Sequence, residues 1–254
     1  VSIRGVGGRR AGGALHTRGG PQAIARLSAH NGLLAAWREG ERVLARRILM
    51  GTPRVLEVLA PGAGHLAGPP RVAARGGFGG AVILWNTSEF DDSGALKGRP
   101  LFATTVSALG EPSGHIVRLL DDAPSAVPAI SGGNLVVLWT RTEGSVPTVV
   151  SLNRTTLPAS LAGPLVTVPL RVFENATVGD IVLRSVAGGG CAAGWVRQAP
   201  GGVAFAETAS FACSSGSLTN LRSVAASAPV RSLAIRSASC GIQATLALAD
   251  IAAG

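Results

Sequence analysis

Tryptophan occurs four times in this chain of 254 residues, at Trp37, Trp85, Trp139 and Trp195. Each closes a similar phrase: "NGLLAAWREG" (Asn31 to Gly40), "GGAVILWNTS" (Gly79 to Ser88), "GGNLVVLWTR" (Gly132 to Arg141) and "GGCAAGWVRQ" (Gly189 to Gln198). The separations are 48, 54 and 56 residues. A self-similar period of that length marks a repeat architecture, in which one supersecondary unit buries its apolar face only by packing on the next.

The third unit shows what one period contains. "AVPAIS" (Ala126 to Ser131) reads as a strand, Gly132-Gly133 as a turn and "LVVLWTR" as a second strand. "PTVVSLN" (Pro147 to Asn153) and "PLVTVPL" (Pro164 to Leu170) supply a third and a fourth. These runs are rich in Val, Leu and Thr and are bounded by Gly, Pro, Asn and Ser, which is strand-and-turn chemistry. Apolar spacing at three and four is absent outside Ile24 to Ala36, and that segment aligns with strands elsewhere. Four strands in about 50 residues is the size of one β-propeller blade. A large flat ring at the end of the second strand suits the wedge between blades, so the four tryptophans are expected in the core rather than as sugar-binding platforms.

The termini complete the count. The last unit holds only "VRSLAIRS" (Val230 to Ser237) and "IQATLALAD" (Ile242 to Asp250). Val1 to Gly7 and Ala14 to Thr17 carry two further strand signals. The expectation is therefore an all-β, five-bladed β-propeller of four-stranded antiparallel blades, closed by pairing of N- and C-terminal strands. Its blades fall at 21–67, 68–122, 123–177, 178–228, and 229–254 plus 1–20, in a single domain. Closure would remove exposed strand edges. The competing reading of "GVGGRRAGG" is a flexible basic arm.

The phrases resemble the repeats of large secreted or surface β-propeller proteins of bacteria. "VPAISGGNLVVLW" (Val127 to Trp139) is similar to the first half of such a repeat. "ARRILMGTPRVLEVL" (Ala45 to Leu59) and "TTVSALGEPSGHIVRL" (Thr104 to Leu119) are similar to the second. The pattern degenerates after Gly179. The resemblance implies a location outside the cytoplasm, extracellular, at the cell surface or periplasmic. It implies no activity, because propellers host many.

Charge adds little to this. The net charge is +9, yet Lys97 is the only lysine and the arginines are scattered without interleaved aromatics. That distribution reads as GC-rich codon usage with solvated charge, and it argues against nucleic acid. No apolar run approaches the roughly 20 residues that span a bilayer. Cys191 and Cys213 flank one expected hairpin, on neighbouring strands, which suits a disulfide in an oxidising compartment and leaves Cys240 free. Three reduced, buried thiols are the alternative.

The sequence offers no catalytic residue and no metal or cofactor site. "EFDDSG" (Glu89 to Gly94) lacks the spaced acids of a calcium loop. Asp121-Asp122 is the other acidic cluster. Arg71, Arg118 and Arg184 occur near strand ends, without the accompanying motif of a sialidase-type triad. His16, His30, His65 and His115 lie far apart in the sequence, without an i,i+4 partner. "RGGFGG" (Arg75 to Gly80) precedes no helix, so it reads as a turn rather than a phosphate loop. The sequons at Asn86, Asn153 and Asn175 would be glycan acceptors only in a glycosylating host. The favoured function is a non-catalytic interaction module, binding a protein, a surface polymer or copies of itself. The alternative is a secreted glycan-binding or glycan-hydrolysing propeller with its site in the central channel.

Overall fold

A computed structural model describes residues 23–26, 33–48, 54–59, 65–66, 68–75, 80–108, 111–144, 148–186, 188–212, 217–226, 230–238 and 241–248. The chain divides into two compact units, Val1–Asp122 with Ala159–Leu161, and Ala123–Pro158 with Ala162–Gly254. Among the described residues every element is a strand and every pairing is antiparallel. None is a helix long and apolar enough to cross a membrane.

The first unit holds two sheets. β1 (Ala23–Arg26), β2 (Leu33–Glu39), β3 (Arg42–Ile48) and β4 (Arg54–Leu59) pair in chain order. In the second sheet β6 (Arg71–Ala74), β7 (Ala81–Phe90), β9 (Leu101–Val106) and β10 (Pro112–Leu120) form the ladder. The short β5 (His65–Leu66) and β8 (Leu96–Gly98) also pair along β7. The core between these sheets joins Leu34, Ala36, Val43 and Ala45 to Ala81, Ile83, Trp85, Phe102 and Val106. Trp37 sits with Ala35 and Leu44 in a separate cluster, on the other face of the first sheet.

The second unit repeats the plan. β11 (Val127–Ser131), β12 (Asn134–Glu143), β13 (Val149–Pro158) and β14 (Val166–Glu174) form one sheet in chain order. β15 (Thr177–Val186), β16 (Gly190–Gln198), β17 (Ala204–Ala212) and β18 (Thr219–Ala225) form the next. β19 (Val230–Ala238) and β20 (Gly241–Leu248) pair with each other. One core layer joins Val136, Leu138, Leu152 and Phe173 of the first of these sheets to Ile181, Leu183, Trp195 and Phe211 of the second. Within each unit the first strands of successive sheets lie against one another: β1 with β6, β11 with β15, and β15 with β19. This is a propeller-like arrangement.

Local chemistry explains the repeat. Gly132 and Gly133 have φ of 56° and 80° and join Ser131 directly to Asn134. A two-residue hairpin loop with both φ positive twists with its strands, and glycine enters it without steric cost. All four tryptophans occupy the second strand of their sheet, opposite Leu44, Phe102, Asn153 and Glu207 of the third. Their relative exposures, between 0 and 6 %, leave no ring face for a ligand. The strand signals at Val1 to Gly7 and Ala14 to Thr17, on which sheet closure and the count of five blades depend, lie outside the described residues.

Candidate functional site

A cavity of about 430 Å³ opens in the second unit where β14 hands over to β15 and where β16 turns toward β17. That volume falls within the 300–1,000 Å³ typical of small-molecule sites. Thr148, Asn175, Thr177 and Gln198 give it hydroxyl and amide groups, and Ala199 and Gly202 close one side. Its walls are fixed by the backbone. The Asn175 amide donates to the Thr148 carbonyl at 2.7 Å. The turn at Ala199 is closed by its own N–H on the Val203 carbonyl, 2.9 Å, and by Gly202 N–H on the Ala199 carbonyl, 3.1 Å. The Thr177 hydroxyl donates to Gln198 Oε1 at 3.3 Å across the β15–β16 pair.

Two of the four described non-glycine residues with positive φ lie on this connection or in the strand that follows it. Asn175 has φ of 50° and Asp180 has φ of 47°. Asn and Asp tolerate this left-handed region better than other residues with a Cβ, and such positions are held only where the surroundings over-determine them. At Asp180 the cause is a bulge: the β15–β16 register shifts between Gly179 and Val182. A bulge re-aims a side chain, and Asp180 is exposed. Among the described residues it is the only acid on any of the first strands β1, β6, β11, β15 and β19.

A second polar cluster lies inside the same unit. Glu207 is 1 % exposed. Its Oε2 accepts from Trp195 Nε1 at 2.7 Å and from Arg171 at 3.2 Å, and its Oε1 accepts from Arg197 Nε at 3.1 Å and Ser223 Oγ at 3.3 Å. The arginines lie over Phe173 and Phe205, their Cζ atoms 4.9 and 4.3 Å from the ring centroids. A carboxylate with four donors on it has no lone pair left for a substrate proton. This cluster ties β14 to β16, β17 and β18, and its work is structural.

The residues singled out in the sequence separate. Asp91 folds a turn: its Oδ1 accepts from the Ser93 and Ala95 amides, both at 2.9 Å, and from Ser93 Oγ at 2.5 Å. The Ser93 hydroxyl, followed by the Ala95 amide, holds its carboxyl below the ordinary value. Arg118 is committed to Glu89 at 2.6 Å and Asp121 at 2.8 Å, and the Glu89 carboxylate raises its pKa. It therefore cannot serve an arginine triad with Arg71 and Arg184, which sit exposed on β6 and β15. Asp122 caps the Arg99 amide at 3.0 Å. His115 is exposed on β10. His16, His30 and the centre of "RGGFGG" lie outside the described residues. No group of three metal-ligating side chains occurs among the described residues.

Of the three sequons, Asn86 donates to the Arg99 and Pro100 carbonyls and Asn153 is buried, whereas Asn175 is exposed at the cavity rim. Cys191 is buried. Cys213 and Cys240 lie outside the described residues, so the pairing of Cys191 with Cys213 stays an expectation.

No protein-family model and no curated protein matches the chain. Among solved structures, an endo-arabinase from Bacteroides thetaiotaomicron superposes with a TM-score of 0.53 at 11 % identity, over 92 % of this chain and 94 % of its own. A mannose phosphorylase from Leishmania mexicana, in complex with phosphate ion, gives 0.47 at 12 % identity, over 89 % and 78 %. The first likeness is one of fold. It tells against the expectation of a non-catalytic structural or interaction module, because a solved structure with this fold along both chains is an endo-arabinase. Few acids lie near one another in the sequence, which favours a module when only sequence neighbours are compared. That comparison fails in a sheet protein, where a bulge on one strand can present an acid beside turns that come from others.

Proposed function

We propose that this chain is a secreted, glycan-directed β-propeller whose site lies at the Asn175–Asp180 end of β15. The observation that carries the reading is the fold shared with an endo-arabinase over 92 % of the chain. The exposed Asp180 and the hydroxyl- and amide-lined cavity beside its strand support it. Glycoside hydrolysis uses two carboxyl groups, one protonating the leaving oxygen and one acting as base or nucleophile. Asp180 is the first residue to test in either role.

The experiment offers the purified protein a panel of polysaccharides, arabinan among them, and records both retention on the polymer and release of reducing ends. Retention, or cleavage that D180N abolishes, is the expected result. Neither retention nor cleavage across the panel would overturn the reading.

The same proposal includes a single closed ring of five blades with the boundaries given above, and a location outside the cytoplasm. It also includes the Cys191–Cys213 disulfide, which an oxidising compartment would maintain. Mass spectrometry of unreduced peptides should find those two cysteines linked and Cys240 alkylatable. Three alkylatable thiols in freshly isolated protein would refute the bridge.

A further inference from the structure

The cavity at the β14–β15 connection differs from the rest of the chain in one respect. The sequence carries 23 Lys and Arg against 14 Asp and Glu, yet among the described residues no charged side chain lines this space. Its polar groups are the hydroxyls of Thr148 and Thr177 and the amides of Asn175 and Gln198. Asn175, Thr177 and Gln198 are exposed to solvent, so they can exchange water for a ligand. The backbone amides of Asn175 and Gly202 are already bonded within the protein. They are not free to form the row of N–H donors that cradles an anion.

We infer that this cavity is a recognition subsite for an uncharged sugar residue, and that Asn175 and Gln198 are its principal contacts. The inference rests on the glycan reading above and narrows its substrate class. A carboxamide offers a donor and an acceptor side by side, and neighbouring sugar hydroxyls present the same pair in return. A uronate or sulfated sugar would bring a charge into a space with no cation to meet it, and desolvating an unpaired charge is costly. The arginines elsewhere on the surface would still attract polyanions, but that attraction is screened by salt. Cavity recognition by neutral hydrogen bonds is not.

The test titrates full-length protein by calorimetry with neutral oligosaccharides of arabinose, xylose and mannose, and with oligogalacturonate and oligoalginate. Each titration is run at low and at raised ionic strength. Salt-independent binding of at least one neutral oligosaccharide is expected, falling tenfold or more in Q198A and in N175G while the melting temperature holds. Both side chains are exposed, and glycine accepts the left-handed backbone at position 175 (φ 50°), so neither change threatens folding. Salt-resistant binding of the uronates alone would overturn the neutral-sugar inference and leave the glycan reading standing. Neutral binding that both variants retain would overturn the assignment to this cavity. Absence of binding to every oligosaccharide would overturn the inference together with the glycan reading on which it rests.

Discussion

The tryptophans show how one sequence signal is met by different chemistry. Trp139 Nε1 donates to Thr155 Oγ1 at 2.9 Å, and Trp195 Nε1 donates to Glu207 at 2.7 Å. Trp85 Nε1 is buried with no acceptor among the described residues, its ring stacked on Phe102 with centroids 6.2 Å apart. Replacement of each tryptophan by Ala should cost about 3–5 kcal/mol in denaturant unfolding, as for other large core truncations. Trp195→Ala should be the most damaging, because it also strips a donor from a buried carboxylate. Two or more replacements that leave the melting temperature unchanged would sink the packing role. Glu207→Ala should cost about 3 kcal/mol, the low end for a broken buried pair, since Arg171 and Arg197 retain some access to water. An acid amid Ala and Phe in "AFAETASFA" was a legible oddity, but its partners were not. Arg171 is 36 residues away and meets it only through sheet packing. Asp91 gives a pH test. Its folded pKa is depressed, so the stability it contributes is present above the ordinary 3.8 and is lost as pH falls through the lower folded value. The amide shifts of Ser93 and Ala95 should titrate with a midpoint below 3.8. A midpoint at or above it would contradict the turn as described.

At the scale of strands and hairpins, much of the structure could be read in advance. The Gly-Gly turn and the alternation of the third unit place β11 to β14, although β13 runs to Pro158 where the pattern stops at Asn153. The fourth sheet is complete despite a degenerate repeat, because "GGCAAGWVRQ" keeps its apolar spacing with smaller side chains. Those small residues have a reason. A Cβ added at Gly194 would meet Leu233 Cδ2 at 3.0 Å, Val182 Cγ2 at 3.1 Å and Ile235 Cγ2 at 3.4 Å. The β19–β20 hairpin therefore seats itself on β15 and β16 through the gap that Gly194 leaves. Gly194→Val should destabilise by about 1–3 kcal/mol, the usual range for overpacking. Hydrogen exchange in β19 should rise with it. A variant as stable as the parent, with β19 protection intact, would show that the hairpin is held elsewhere. The bulge at Asp180 could not be read from periodicity, because an inserted residue breaks the very alternation used to find strands. A Gly-Asp pair inside "VGDIV" was its one trace.

For the whole molecule, the sequence argued correctly toward an all-β repeat and wrongly toward a passive module, and closure is the question on which the architecture turns. β19 and β20 pair with each other and, among the described residues, with nothing further. A two-stranded ribbon is marginal in water, and its free edges invite pairing with other chains. Val1 to Gly7 and Ala14 to Thr17 hold the two strand signals that the last unit lacks, and pairing them with β19–β20 would make its sheet four-stranded like the others. Ring closure would then tie the two ends of the chain together, so losing either end should be felt across the whole fold. Deleting Val1 to Gly19 should produce a large fall in melting temperature or outright aggregation. The opposing idea treats "GVGGRRAGG" as a basic arm that works by charge. It predicts an unchanged melting transition and loss only of salt-sensitive binding to an acidic partner. The two ideas are separated by adding back a peptide of residues 1–20. A closing strand restores stability in trans because its hydrogen bonds are to the sheet, whereas an arm has no sheet to restore.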